Sequence, residues 1–202
     1  RGLRVMWLRV LALFTLCLVL ACKTDQTLVL IGGQPVDAAR VDASPLEVLP
    51  SGALFVGTLD AATLFSSNLG GPTAGIVNNL LPLGPESNFQ AHRDVHRIYG
   101  AVYAMQGADF VAVLQGNFDV PAIQRAAQTR AATPSGLPLV VTRYGDHDMY
   151  TIANVGFVPL TSHTIVSGNE TGMRRALDRL RYGQLKDELA PWMVELLHET
   201  SG

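Results

Sequence analysis

This 202-residue chain has only two cysteines, Cys17 and Cys22, five residues apart near its start. That rules out the multi-bridge disulfide framework of a small secreted scaffold. No apolar run reaches the roughly 20 residues a spanning helix needs. The longest, Val10 to Ala21, has twelve residues and only Thr15 is not apolar. Charge is sparse at 16%, and there is no clustered basic surface of the kind nucleic acid demands. Thirteen of the fifteen basic residues are arginine, a bias of codon usage rather than a phosphate-reading pattern. The chain also lacks the polar, charge-rich makeup of a disordered protein, since 48% of it is hydrophobic, and it should fold with a well-buried core. Its length suits one domain plus a tether.

What is present begins with an asymmetry of charge. Arg1, Arg4 and Arg9 fall in the first nine residues, and the first acid is Asp25. A positive start followed by an apolar core of roughly 7–15 residues is the pattern of a secretion signal. Residues 1–21 are therefore read as a signal peptide, whose removal leaves 12 basic against 17 acidic side chains. Retention of the segment as an uncleaved signal anchor is the alternative. Arg1 stands where a Met would open a chain, so the true start is expected upstream or at an alternative start codon.

The stretch Val19-Leu20-Ala21-Cys22 suits an ordinary signal peptidase, and it also resembles the lipobox of bacterial lipoproteins. That resemblance implies that Cys22 becomes the first residue of the mature chain, with a diacylglycerol on its sulfur and an acylated amino group. More than one acyl chain is what stable anchoring requires, because a single chain binds membranes only marginally. Valine and leucine at the outer positions depart from the commonest Leu-Ala/Ser-Gly/Ala-Cys form. Cleavage there would leave Cys22 as the only thiol, which lipid attachment accounts for. Lys23, in place of the Asp that often marks inner-membrane retention, tilts the expectation toward the outer membrane.

Residues 22–50, with Gly32-Gly33, Pro35, Pro45 and Pro50, read as a lipid-attached tether, although Thr27 to Ile31 is apolar enough to add a strand to a domain edge. Residues 51–202 form the domain, which stops directly after an amphipathic helix and is open to continuation beyond Gly202. Within it, Ala53 to Leu59 reads as a strand. Asp60 then caps a helix that breaks at Gly70-Gly71-Pro72, resumes through Ile76, Val77, Leu80 and Leu81, and stops at Pro82. Arg97 to Gln106 and Asp109 to Asn117 are two strands, and Asp119 caps a helix through Ala132. Leu139 to Tyr144 and Met149 to Val155 pair across Gly145-Asp146-His147-Asp148, and His163 to Val166 is a further strand. Ser167-x-x-Glu170 fits a capping box opening a helix with Met173, Ala176, Leu177 and Leu180 on one face and Gly183 as its terminator. A last helix carries Leu189, Trp192, Met193, Leu196 and Leu197. The order predicts an α+β fold, an antiparallel sheet with helices on one face and a split βαβ-like start.

The segments "LPSGALFVGTLDAATL", "RDVHRIYGAVY", "ADFVAVLQGNFD" and "YGDHDMYTIANVGFVPLTSHTIVSGNETGMRRALD", over residues 46–182, resemble a loose group of bacterial envelope proteins of uncharacterised activity. The resemblance implies fold and envelope location, with no activity to carry over.

Chemistry-bearing patterns are thin. His92 and His96 lie four apart, but in a loop entering a strand, where that spacing does not converge on a metal. Asp146, His147 and Asp148 with His163 are the densest set of ligand-type residues and the basis for an alternative reading as a metal-dependent hydrolase. Gly-Asp-His-Asp is also ordinary hairpin-turn chemistry. No serine sits in G-x-S-x-G, and Gly70 to Gly75 lacks the Gly-Lys-Ser/Thr ending of a phosphate loop. Asn169-Glu170-Thr171 has the form of a glycosylation sequon, of little meaning in a bacterial envelope protein. Arg174, Arg175, Arg179 and Arg181 read as a solvated helix face, with Asp178 spaced to pair with Arg174 and Arg181. The expectation is a non-catalytic, lipid-anchored envelope protein whose partner is the membrane, with Cys22 as its one assigned site, no cofactor and no nucleic acid.

Overall fold

Two antiparallel meanders meet at the centre of a single sheet. The computed structural model describes residues 36–81, 83–104, 109–128, 133, 136–186 and 188–200. The stretch Val19 to Cys22, the run Thr27 to Ile31 and Pro82 lie outside the described residues. The first meander comprises β1 (Phe55–Asp60), β2 (Val95–Val102) and β3 (Phe110–Gly116). The second comprises β4 (Val140–Tyr144), β5 (His147–Ile152), β6 (Val155–Pro159) and β7 (Thr164–Asn169). They join where β3 pairs with β7, from Val111↔Gly168 to Gln115↔Thr164, giving the order β1-β2-β3-β7-β6-β5-β4.

Seven α-helices accompany the described sheet: α1 (Ala38–Ala43), α2 (Ala61–Phe65), α3 (Gly70–Leu80), α4 (Ala91–Asp94), α5 (Val120–Gln128), α6 (Glu170–Arg181) and α7 (Pro191–Thr200), with 3-10 turns at Pro45–Val48 and Pro85–Ser87. The fold is α+β, as the sequence predicts. No described helix is long and apolar enough to cross a membrane.

Two finer expectations differ from the structure. The helices cover both faces of the sheet, because its central strands are apolar on both sides. Successive strand residues point to opposite faces. Val111, Val113, Val158 and Val166 enter one core with Met173, Ala176 and Leu177 of α6. Ala112, Leu114, Phe157 and Ile165 enter another with Ala61, Val77 and Ile123 of α2, α3 and α5. We call these face one and face two. The split βαβ-like start is also replaced. β1 lies directly beside β2 and antiparallel to it, from Phe55↔Val102 to Asp60↔Arg97, so the excursion through α2 to α4 returns the chain to the neighbouring position.

Several boundaries follow from local chemistry. Asp60 caps α2, its Oδ1 accepting from Thr63 N at 2.9 Å, and Asp119 caps α5 through Ala122 N at 3.0 Å. Gly70-Gly71-Pro72 opens α3 rather than interrupting a longer helix, since proline is tolerated in a first turn where amides have no intrahelical partner. α6 starts two residues later than the capping box predicts. Asn169 is its N-cap, accepting from Gly172 N at 3.2 Å, while Ser167 belongs to β7 and donates to Gly156 O at 2.9 Å.

Residues 36–50, which the sequence assigns to a tether, belong to the domain. Val48 and Leu49 are completely buried in the face-one core, Val41 nearly so. Arg179, a residue only 5% exposed, explains how this segment is held. Its Nε donates to Glu47 O at 3.0 Å, its Nη2 to Lys186 O at 2.5 Å, and its Nη1 pairs with Glu188 Oε2 at 2.6 Å. One α6 residue thus ties the chain before β1 to the chain before α7. The solvated-face reading fails for Arg179. Arg174 pairs with Glu170 at 2.6 Å and lies 5.0 Å from the Tyr144 ring centroid, while Asp178 accepts from the Tyr144 hydroxyl at 2.9 Å.

Candidate functional site

One end of the sheet gathers most of the titratable side chains singled out by sequence. It is formed by the β4–β5 turn, the β6–β7 turn, the end of β3 and the start of β2, with α1 packed beside it. Gly145, at φ +56°, makes the tight β4–β5 turn, a left-handed conformation that glycine adopts without steric cost.

The four residues Asp146, His147, Asp148 and His163 do not converge. His147 and Asp148 are neighbours on β5 and point to opposite faces, as Met149 and Tyr150 do in the two cores. Asp148 pairs across the hairpin with Arg143 Nη1 at 2.9 Å. Asp146 and His147 line a cavity of about 260 Å³ with Val36, Val41, Tyr144 and Leu177. His163 lines a separate, more open cleft of about 440 Å³ with Asp42, Asp60, His96, Arg97 and Asn117. No group of three or more histidine, cysteine or acidic side chains among the described residues is arranged to hold a metal ion. His92 lies in α4 and His96 in β2, so the two do not share one helix face.

Most of these polar groups are committed to the fold. Asp42, at the end of α1, accepts from Thr161 Oγ1 at 2.5 Å and Thr164 Oγ1 at 2.6 Å, and its backbone carbonyl accepts from Gln115 Nε2 at 2.6 Å. This carboxylate clamps α1 onto the β6–β7 turn, and the spacing of the sequence held no signal of it. His163 Nδ1 sits 3.1 Å from Gly116 O and its backbone N–H donates to Thr161 Oγ1 at 2.9 Å. A side chain at Gly116 would collide with the Asp94 carbonyl, which lets β2 close against the end of β3.

At this end of the sheet His147 and Asp60 are both shifted downward, for different reasons. Burial pushes the His147 imidazole below the ordinary histidine range, against the upward pull of Asp146 and Asp148. The Asp60 carboxyl is held below its usual range, first by the hydrogen bonds from Thr63 and further by Arg97. What the arrangement offers chemically is a polar cleft with hydrogen-bonding groups of both kinds, beside a smaller, mainly apolar cavity.

No protein-family model matches the chain, and none of the curated proteins matches it. Among solved structures, crystal form I of TP0453 aligns with a TM-score of 0.50 at 15% identity, over 78% of this chain and 57% of that one. Crystal form III of the same protein aligns at 0.48 and 16% identity, over 78% and 58%. The chain therefore spans little more than half the length of that protein. At such identity the likeness concerns the fold alone.

Proposed function

We propose that this protein is a lipid-anchored component of a bacterial cell envelope whose α+β domain acts by binding or structural contact, without catalysis. The observation that carries the reading is the stretch Val19-Leu20-Ala21-Cys22 at the end of a twelve-residue apolar core behind three arginines. An apolar core of that length fits a processed signal better than a span. Acylation of both the thiol and the amino group of Cys22 would supply the two or more chains that durable anchoring needs. Lys23 favours the outer membrane.

The domain's chemistry agrees with this role. Asp42, Asp148 and His163 are engaged in contacts that hold segments together, and the alternative as a metal-dependent hydrolase asks Asp146, His147, Asp148 and His163 to act jointly from two cavities and two faces of a strand. The test is acyl-chain labelling of the wild type and Cys22→Ser, followed by membrane fractionation. Label and membrane association confined to the wild type support the proposal, and equal labelling overturns it.

A further inference from the structure

We propose that the cavity between α1, α6 and the β4–β5 turn binds a free amino acid with an apolar side chain, its ammonium on Asp146 and its carboxylate on Arg181. This rests on the binding role proposed above and deepens it, independently of lipid attachment at Cys22.

The floor of the cavity is apolar. Val41, Leu177 and Leu180 face it with Leu160, and the first three are buried. Its volume of about 260 Å³ lies below the roughly 300–1,000 Å³ of pockets for drug-sized ligands, so the occupant is small. A branched or aromatic amino-acid side chain is of that size, and its removal from water against leucine and valine supplies affinity.

The mouth is polar, and three of its groups are unmatched. Neighbouring side chains are satisfied within the protein: Arg143 holds Asp148, Arg174 holds Glu170, and the Tyr144 hydroxyl donates to Asp178. Thr161 is taken up by Asp42. Asp146, His147 and Arg181 line the cavity as well, and none of the three makes a hydrogen bond or ion pair with a described residue. The sequence spaces Asp178 to pair with Arg181, but Asp178 is engaged by Tyr144 instead. The Arg181 guanidinium carbon lies 5.7 Å from the Tyr182 ring centroid, a contact of the guanidinium that does not consume its N–H donors.

The tight turn sets the charges side by side. A Cβ on Gly145 would lie 3.8 Å from Arg181 Cδ, and Asp146 is the next residue. A guanidinium and a carboxylate thus flank one opening without pairing with each other. An α-amino acid carries the complementary pair on a single carbon, and a guanidinium can take its carboxylate through two parallel N–H···O bonds. Burial lowers the His147 pKa, so at neutral pH its ring offers an acceptor nitrogen for a further ammonium N–H. A simple anion meets repulsion from Asp146 and a simple cation meets repulsion from Arg181, which favours the zwitterion over either.

The test is calorimetric titration of the full chain in lipid nanodiscs with L-leucine, L-phenylalanine, N-acetyl-L-leucine and L-leucinamide. At least one free amino acid should bind saturably, and the acetyl and amide derivatives, which lack one charge each, should bind about tenfold more weakly. Asp146→Asn should lose the preference against N-acetyl-L-leucine alone, and Arg181→Gln the preference against L-leucinamide alone. Both positions are exposed, so the circular dichroism spectrum should stay unchanged. Cys22→Ser should bind as the parent does, which reads this site separately from lipid attachment. Absence of saturable binding by both amino acids overturns the proposal, as does equal binding of leucine and its two derivatives, or retention of the parent's preferences in both variants.

Discussion

The two faces of the sheet are held by different means. Face one joins segments far apart in sequence through polar ties. Arg179 reaches Glu47, Lys186 and Glu188, Asp42 reaches Thr161 and Thr164, and Arg175 donates to Ser51 O at 2.9 Å while lying 4.6 Å from the Tyr103 ring centroid. Face two is closed chiefly by apolar packing, with Tyr150 and Phe157 stacked at 5.2 Å and Ile123 of α5 buried in one cluster with Leu114 of β3. The difference teaches where each face is specified. A helix with a strong apolar stripe docks by area alone, whereas α1 is six residues long, shorter than an independently stable helix, and needs directional partners.

Core truncation should give the largest effects and treat the faces alike. Phe157→Ala on face two is expected to cost about 4 kcal/mol and Met173→Ala on face one about 3 kcal/mol, since both residues are fully buried. Urea unfolding would check this. Comparable losses on both faces would locate the contrast in the polar ties rather than in core quality.

Arg179→Met breaks the comparison more directly. It should cost about 3 kcal/mol by leaving the buried carbonyls of Glu47 and Lys186 without their donor and Glu188 with a longer pair to Lys186 at 3.6 Å. Hydrogen exchange should rise first in residues 36–50 and 184–190. Arg174→Met, which removes only a half-exposed pair with Glu170, should change stability by less than about 1 kcal/mol. If the two variants lose the same stability, the buried tie has no special role.

Asp42→Ala is next, at about 2 kcal/mol, because two threonine hydroxyls lose their acceptor. Increased exchange confined to α1 and the β6–β7 turn would confirm a local clamp, and a uniform change would refute it.

The smallest expected effect is a pH dependence through His147. Its folded-state pKa lies below the unfolded value, so the unfolded chain binds more protons once the pH falls through the ordinary histidine range near 6.5, and stability declines toward acid. His147→Gln should flatten that part of the stability–pH curve. An unchanged slope would place the acid sensitivity elsewhere.

Sequence spacing alone decided much of this molecule. The apolar period of Met173, Ala176, Leu177 and Leu180 specified the buried face of α6, and Asp60 and Asp119 marked two helix starts, because caps and helix periodicity act over three or four residues. β6 was not legible. The turn that separates it from β5 uses Ala153 at φ +52°, a residue type that announces no turn, so Met149 to Val155 reads as one strand. For the last helix, an apolar stripe says which residues can be buried and not which are, and Trp192 and Leu196 remain exposed.

The sequence by itself also determined the Val19 to Cys22 pattern and the α+β alternation, both local properties of the chain. Only the tertiary structure decided that helices cover both faces, that residues 36–50 belong to the domain, that Asp146, His147 and Asp148 are parted from His163, and that β1 is an outer strand of the described sheet. Each of these depends on which distant segments meet, as when Arg179 finds Glu47 across 132 positions of sequence, and such partners leave no periodic trace in the chain that carries them.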